Sequence, residues 1–207
     1  MKPEVNNIDL ILPLLKWEKT GDYFYLQIFL RKVDNTTTFG NKNNSARLIK
    51  AYCFFNQEQI LAKTEEIIKL CNLYKARAGI NLNIRNEEEV AYELLENLAD
   101  RLKSKNYRGI NGILNTTNGS VKSRDKYWLI DCDSEEEFNI VFEILNSETI
   151  RPEGNKIVAV LPSYKGKHVI TKRFDRLTFN NLLVEKLGKT IDLHTNNPAA
   201  YFYPQQD

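Results

Sequence analysis

Apolar and polar positions along the first half of the chain follow two periods. Segments 22–33, 47–55 and 76–85 have the aromatic, β-branched or alternating pattern of strands. Segments 57–74 and 87–102 instead place apolar residues at helical spacing. Residues 1–105 are therefore predicted to form an N-terminal α/β module.

Two segments lack any such period. Residues 35–45 are rich in Asn, Thr and Gly, which favours a turn or loop. Residues 105–126 hold three glycines, four asparagines and two adjacent threonines. This composition predicts a long exposed loop at 106–126 that joins two halves of the chain.

The second half has the order strand, helix, strand, strand, helix, strand. The strands are expected at 127–132, 157–161, 168–172 and 189–195, and the helices after Ser134 and at 178–187. This is the split β-α-β-β-α-β order of ferredoxin-like and RRM-type domains. The sequence thus predicts an α+β fold, with an RRM-like half over 127–207 joined to the N-terminal module in one compact unit. Two helices are expected to cover one face of the RRM-like sheet and to leave the other face open.

Composition narrows the class of protein. Of the 207 residues, 42% are apolar and 27% are charged, as in ordinary globular proteins. The net charge of +2 is too balanced to indicate nucleic-acid binding by itself. Three distant cysteines and two histidines cannot supply a spaced zinc-ligand set. Without a clean signal peptide or an apolar stretch of membrane-spanning length, a cytoplasmic protein with no membrane partner is expected.

Strand alternation places three carboxylates on the predicted open face. Asp131 and Asp133 lie opposite Ile130, and Asp192 lies opposite Ile191. In the usual strand order of this fold, the first strand lies between the third and the fourth, which brings all three acids together. Residues two apart on a strand are separated by about 6.6 Å, so their carboxylates can reach one divalent ion or a pair of ions. Asp131, Asp133 and Asp192 are therefore candidate catalytic residues and ligands of Mg²⁺ or Mn²⁺.

Cationic and small residues accompany these acids on the third strand and in the turn before it. His168 is expected on the acidic face beside Asp131. The turn offers small residues, backbone N–H groups and ammonium groups, which suit a triphosphate. The candidate nucleotide-binding residues are Ser163, Lys165, Gly166, Lys167, His168, Lys172 and Arg173.

Each feature also has a simpler structural interpretation. Asp133 with Ser134 is a suitable cap for the following helix, and a glycine–lysine turn is often a solvated hairpin. Asp192 could be an edge charge that prevents aggregation. Arg77 and Arg85 could reach a nucleic-acid backbone, although surface charge is the simpler interpretation. The combination of residues, more than any single one, indicates a site.

Three short motifs resemble those of the archaeo-eukaryotic primase (primase-polymerase) superfamily. They are Leu129-Ile130-Asp131-Cys132-Asp133, then Gly166-Lys167-His168, then Thr190-Ile191-Asp192. The resemblance implies an RRM-like catalytic core preceded by a smaller α/β module. It also implies that Asp131, Asp133 and Asp192 hold two divalent metals and that His168 contacts the nucleotide phosphates. Asp175 is an alternative to Asp192 as the third acid.

The activity implied by this resemblance is that of a nucleotidyltransferase that primes or extends nucleic acid. Its partners would be a nucleoside triphosphate and single-stranded or primer-template nucleic acid. The many Asn, Lys and Tyr residues suit a phage or mobile-element protein. A replication or phage protein is a further expected partner. Two alternatives stay open: an inactive RRM-like module that binds a nucleotide or single-stranded nucleic acid, and a phage-type partner-binding protein. Carboxylates in place of stacking aromatics on the sheet face argue against simple RNA binding.

Overall fold

The fold is a mixed α+β arrangement with two antiparallel sheets, as the sequence predicts. The computed structural model describes residues 2–32, 34, 46–121, 123, 126–196 and 198–205, so the loop predicted at 35–45 lies outside the described residues. In this part of the chain the helices are α1 (Ile8–Ile11), α2 (Gln57–Tyr74), α3 (Glu87–Lys103), α4 (Ile113–Ser120), α5 (Glu135–Asn146) and α6 (Arg176–Leu187). The strands are β1 (Val5–Asn6), β2 (Asp22–Arg31), β3 (Ala46–Phe54), β4 (Arg77–Asn86), β5 (Trp128–Cys132), β6 (Ile157–Pro162), β7 (Lys167–Thr171), β8 (Leu193–His194) and β9 (Ala199–Tyr203). No helix within the described residues is long and apolar enough to cross a bilayer.

The first sheet has the strand order β1-β9-β4-β2-β3 and packs against helix α2. Alternation along β2 buries Leu26 in one cluster with Ile60 and Ile67 of α2. The side chain of Asn56 caps α2 by accepting a hydrogen bond from the Gln59 amide at 2.9 Å. Helix and strand therefore form where the two apolar periods predict them.

The second sheet has the strand order β6-β7-β5-β8, so β5 lies between β7 and β8 as expected. Helices α5 and α6 pack on one face of this sheet. There Ile130 and Cys132 of β5 are buried with Val141 of α5 and Phe179 of α6. Because this core takes the even-numbered residues of β5, Asp131 faces the other side of the sheet.

That other side is not open, contrary to the expectation from the sequence. Leu129, Leu161 and Ile170 belong to the same buried cluster as the core of the first sheet. Strand β9 also returns from the second half to the first sheet, where Phe202 pairs with Ala78 of β4. The two halves thus share one core, and the polar part of this face forms a wall between the sheets.

The segment predicted as a loop at 106–126 contains a 3₁₀ helix (Tyr107–Gly112) and helix α4. The apolar period does not reveal α4 because the side chains that it buries include the polar Thr117 and Asn118. Asn118 Oδ1 accepts a hydrogen bond from the Tyr23 hydroxyl at 2.5 Å. The main-chain carbonyl oxygen of Asn118 accepts another from Arg85 Nε at 2.9 Å. Arg85, expected as a surface charge, is 2% exposed.

The last helix and strand of the second half differ in their bounds from the prediction. Helix α6 begins at Arg176 instead of 178, because Asp175 caps it by accepting hydrogen bonds from the amides of Leu177 and Thr178. The strand predicted over 189–195 is reduced to Leu193–His194. Before it, Lys189 Nζ lies 2.5 Å from Glu137 Oε1 of α5.

Candidate functional site

A cleft of about 830 Å³ lies between the polar faces of the two sheets. One wall comes from β5, β7, β8 and the β6–β7 turn, and the opposite wall comes from β2, β3, β4 and β9. Both sheets bury alternate residues in their cores, so the polar residues in between meet in this cleft. The residues that line it are Lys2, Gln27, Phe29, Arg31, Ala46, Leu48, Arg77, Leu129, Asp131, Asp133, Ser163, Tyr164, Lys165, His168, Asp192, His194, Pro198 and Tyr203.

The three acids predicted from the sequence all line this cleft. Asp131 lies on the central strand β5, and Asp133 follows two residues later. The main-chain N–H of Asp131 donates a hydrogen bond to the carbonyl oxygen of Asp192 at 3.1 Å, so these residues are neighbours across the sheet. Asp133 and Asp192 are exposed, and the Asp131 side chain is 37% exposed. Solvent in the cleft therefore reaches all three carboxylates.

His168 is the cross-strand partner of Asp131 on β7. Its Nε2 lies 3.4 Å from Asp131 Oδ1, and its Nδ1 accepts a hydrogen bond from the Ala200 amide at 3.3 Å. An accepting Nδ1 assigns the proton of a neutral imidazole to Nε2, towards the carboxylate. Burial alone would raise the pKa of Asp131, but the hydrogen bond with His168 and the electrostatic attraction of His168, His194 and Arg31 hold this pKa below its ordinary value. Asp131 is thus kept as a carboxylate.

Asp175, the alternative third acid, has a different role in the structure. Its carboxylate caps helix α6 and also accepts a hydrogen bond from the Thr178 hydroxyl at 2.6 Å. Asp175 does not line the cleft, whereas Asp192 does. Of the two, Asp192 is the acid that lies with Asp131 and Asp133.

The predicted nucleotide-binding residues separate into two groups. Ser163, Lys165 and His168 line the cleft. Lys167 instead lies on the α5 side of the sheet, where its Nζ is 2.8 Å from Glu135 Oε1 and 3.9 Å from the centre of the Phe138 ring. The other members of this second group, Lys172 and Arg173, are exposed and do not line the cleft.

Gly166 does not bind through a side chain but allows the β6–β7 turn to lie against the end of β5. A Cβ at this position would be 2.1 Å from the Cys132 carbonyl oxygen and 3.1 Å from the Asp133 carbonyl carbon. The turn is closed by Ser163, whose amide donates to the Gly166 carbonyl at 2.9 Å and whose Oγ accepts from the Gly166 amide at 3.2 Å. Gly166 thereby positions Ser163 and Lys165 beside Asp133.

The cations of the opposite wall were not predicted from the sequence to belong to the site. Arg77, expected as a surface charge, is 9% exposed, and it pairs with the fully buried carboxylate of Asp34 through Nε at 2.6 Å and an Nη at 2.7 Å. Lys2 Nζ lies 2.8 Å from the same carboxylate. Arg31 also lines the cleft, at the end of β2. The strict alternation of polar residues along β4, with Arg77 and Arg85 on one side, was the available signal for a second polar sheet face.

The acids fit Mg²⁺ or Mn²⁺ in chemical type, because these hard cations take carboxylate oxygens as ligands. In the described parts of the chain, however, no three His, Cys, Asp or Glu side chains are grouped with the spacing of a metal site. Mg²⁺ is commonly held by one or two carboxylates with waters and substrate phosphates. Asp131 with Asp192 suits a site of that kind, in which a nucleotide supplies the remaining ligands.

Comparison of the chain with protein-family models, with curated proteins and with solved structures gave no match in any of the three.

Proposed function

We propose that this protein is a metal-dependent nucleotidyltransferase of primase-polymerase type that primes or extends nucleic acid. One observation carries the proposal: Asp131 on β5, His168 on the adjacent strand β7 and Asp192 just before β8, with Asp133 two residues after Asp131, line one cleft. Carboxylates placed close together repel one another, and a bound divalent cation would offset that repulsion. The proposed partners are a nucleoside triphosphate, single-stranded or primer-template nucleic acid, and a replication or phage protein in the cytoplasm.

The proposed reaction is a phosphoryl transfer. The 3′-hydroxyl oxygen of a primer or first nucleotide forms a bond to the α-phosphorus of the incoming nucleotide. The bond from that phosphorus to the bridging oxygen breaks, pyrophosphate leaves with the electron pair, and the hydroxyl proton passes to solvent water. Bound Mg²⁺ or Mn²⁺ would stabilise the hydroxyl's conjugate base and neutralise charge on the phosphates.

The residues of the chain supply position and charge for this step. Asp131 stays ionised and is held in direction by His168 Nε2. The imidazole N–H can donate to a phosphate oxygen in place of Asp131 when a nucleotide enters. Asp133 and Asp192 are exposed on the same side, where they are available as cation ligands.

The test is a comparison of wild type with Asp131→Asn in two assays: calorimetric titration of a dNTP or NTP in the presence of Mn²⁺, and extension of a labelled primer on a template. We expect binding and extension in wild type and loss of extension by at least about a hundredfold in the variant, because the divalent-cation site loses a charged ligand. Asp100→Asn on α3, where the aspartate is exposed, is the matched control and should retain wild-type behaviour. Wild-type protein that binds no nucleotide in Mn²⁺ or Mg²⁺ would overturn the proposal.

The second candidate is an inactive nucleotide-binding module. It is favoured by one observation, the lack of a three-membered ligand group among the residues that the structure describes. The two candidates differ in the extension assay. Nucleotide binding that depends on Asp131, without extension on any primer or template length, would select the binding module.

A further inference from the structure

The first-sheet wall of the cleft holds an arginine in a fixed orientation. The Arg77 guanidinium is bonded to Asp34 through two nitrogens and lies 4.6 Å from the centre of the Tyr164 ring and 4.9 Å from that of Tyr203. The Tyr203 hydroxyl also shares a hydrogen bond with the Arg77 side chain. Arg77 still lines the cleft, with 9% of its surface exposed. An arginine fixed in this way loses little conformational entropy when it binds an anion.

Among the described residues, the charges on this wall are positive in sum. Asp34 is surrounded by two cations, Lys2 and Arg77, so this group carries an excess positive charge. Arg31 lies on the same face: Phe29, two residues before it on β2, pairs with Arg77 of β4. Arg31 is exposed and lines the same cleft as Asp131.

The acidic wall requires such compensation. Asp131, Asp133 and Asp192 would repel the phosphates of a nucleotide, and one divalent cation with His168 offsets only part of the negative charge of a triphosphate. Lys167 is turned away towards α5, so the turn offers Lys165 as its cleft-lining lysine.

We infer that Arg31 and Arg77 of the first sheet, with Lys165 across the cleft, bind the polyphosphate chain of the incoming nucleotide. The N-terminal module is then part of the binding site and not only a support for the second sheet. This inference rests on the proposed function for the identity of its ligand, but the anion site can be tested without a nucleotide.

The experiment is calorimetric titration of three ligands into the folded protein: inorganic tripolyphosphate, AMP and ATP. The AMP and ATP titrations contain Mn²⁺. The variants are Arg31→Gln, at an exposed position, and Arg77→Lys, which keeps the charge but loses the two-nitrogen contact with Asp34. Arg47→Gln is the matched control, because Arg47 is exposed on β3 between the cleft-lining Ala46 and Leu48 but on the opposite face. We expect each cleft variant to weaken tripolyphosphate and ATP binding by about tenfold to a hundredfold, AMP binding by much less, and the control to match wild type.

The outcomes separate this inference from the proposed function. If wild type binds no tripolyphosphate, or if Arg31→Gln and Arg77→Lys bind it as wild type does, the inference is wrong, even where primer extension succeeds. If the variants lose tripolyphosphate while wild type extends no primer, the anion site stands and the polymerase proposal fails. Arg31→Gln could instead lose affinity for an oligonucleotide without terminal phosphates and keep its affinity for tripolyphosphate. That result would assign this wall to the nucleic-acid backbone and overturn the inference. If Arg77→Lys does not fold, the tripolyphosphate affinity of Arg31→Gln alone tests the inference.

Discussion

The main-chain N–H of Asp131 donates a hydrogen bond to the main-chain carbonyl oxygen of Asp192 at 3.1 Å. This contact extends the β5–β8 pairing by one residue beyond the short strand Leu193–His194. Because the bond joins the two backbones, neither side chain is consumed by it. Asp131 and Asp192, separated by some sixty positions in the chain, therefore present both carboxylates to the same cleft.

The third acid of the site can be identified by a pair of matched substitutions. Asp192→Asn should reduce primer extension by at least about a hundredfold with little change in thermal stability, because Asp192 is exposed and lines the cleft. Asp175→Ala should remove the cap of α6 and lower the free energy of unfolding, with extension retained because Asp175 does not line the cleft. The reverse pattern in extension and chemical denaturation would assign the role to Asp175.

Metal and nucleotide should bind cooperatively. With no group of three protein ligands among the described residues, a divalent cation needs phosphate oxygens to complete its coordination. We expect Mn²⁺ titrated alone to bind weakly, and the same titration with saturating ATP to give an affinity at least about tenfold higher. Electron paramagnetic resonance of free Mn²⁺ measures this when the titration with ATP and protein is compared with one of ATP alone, because ATP itself binds Mn²⁺. Equal affinity with and without ATP would mean that the protein supplies a complete site by itself.

Acid should destabilise the protein through Asp34. Burial would raise the pKa of this carboxyl, but its hydrogen bonds to Arg77 and Lys2 and their charges hold the pKa below the ordinary value of 3.8. A carboxyl whose pKa is lower in the folded state contributes stability that is present above pH 3.8 and is lost as the pH falls through the folded-state pKa. Urea denaturation from pH 7 to pH 2 should show this decrease.

Asp34→Asn provides the check on that assignment. The variant should lose about 3 kcal/mol at pH 7, because it leaves the nearly buried Arg77 without its counter-charge, and its stability should fall less steeply below pH 4. Asp100→Asn on the exposed face of α3 is the control. A variant with the same acid slope as wild type would show that other carboxyls cause the loss.

Gly166→Ala should be strongly destabilising. The added Cβ would meet the Cys132 carbonyl oxygen at 2.1 Å, and a backbone atom on the central strand cannot move aside without disturbing Asp131 and Asp133. We expect a loss of about 1–3 kcal/mol in chemical denaturation together with weaker nucleotide binding. Gly119→Ala in α4 is the control, since no atom lies within 4 Å of its Cβ position and alanine favours a helix. Similar stability of both variants would contradict the close approach.

The sequence by itself determined the local elements and the faces of the strands. Apolar periods located α2, β2, β4 and β5, and alternation gave the common side of Asp131 and Asp133, because these features depend on the backbone geometry of one element at a time. Helix α4 could not be predicted in this way. It buries the polar side chains of Thr117 and Asn118 against Tyr23 and Arg85, which lie on other elements.

The tertiary structure alone decided that the acidic face is one wall of a cleft and that cations from the first sheet form the other. Leu129 and Ile170 share the strand faces of Asp131 and His168, and the first sheet buries them. The sequence predicted Arg77 to be a surface charge because its counter-ion, Asp34, is more than forty positions away in the chain. A charged side chain can be buried where such a distant partner neutralises it, and that pairing depends on how two sheets pack, which no local pattern encodes.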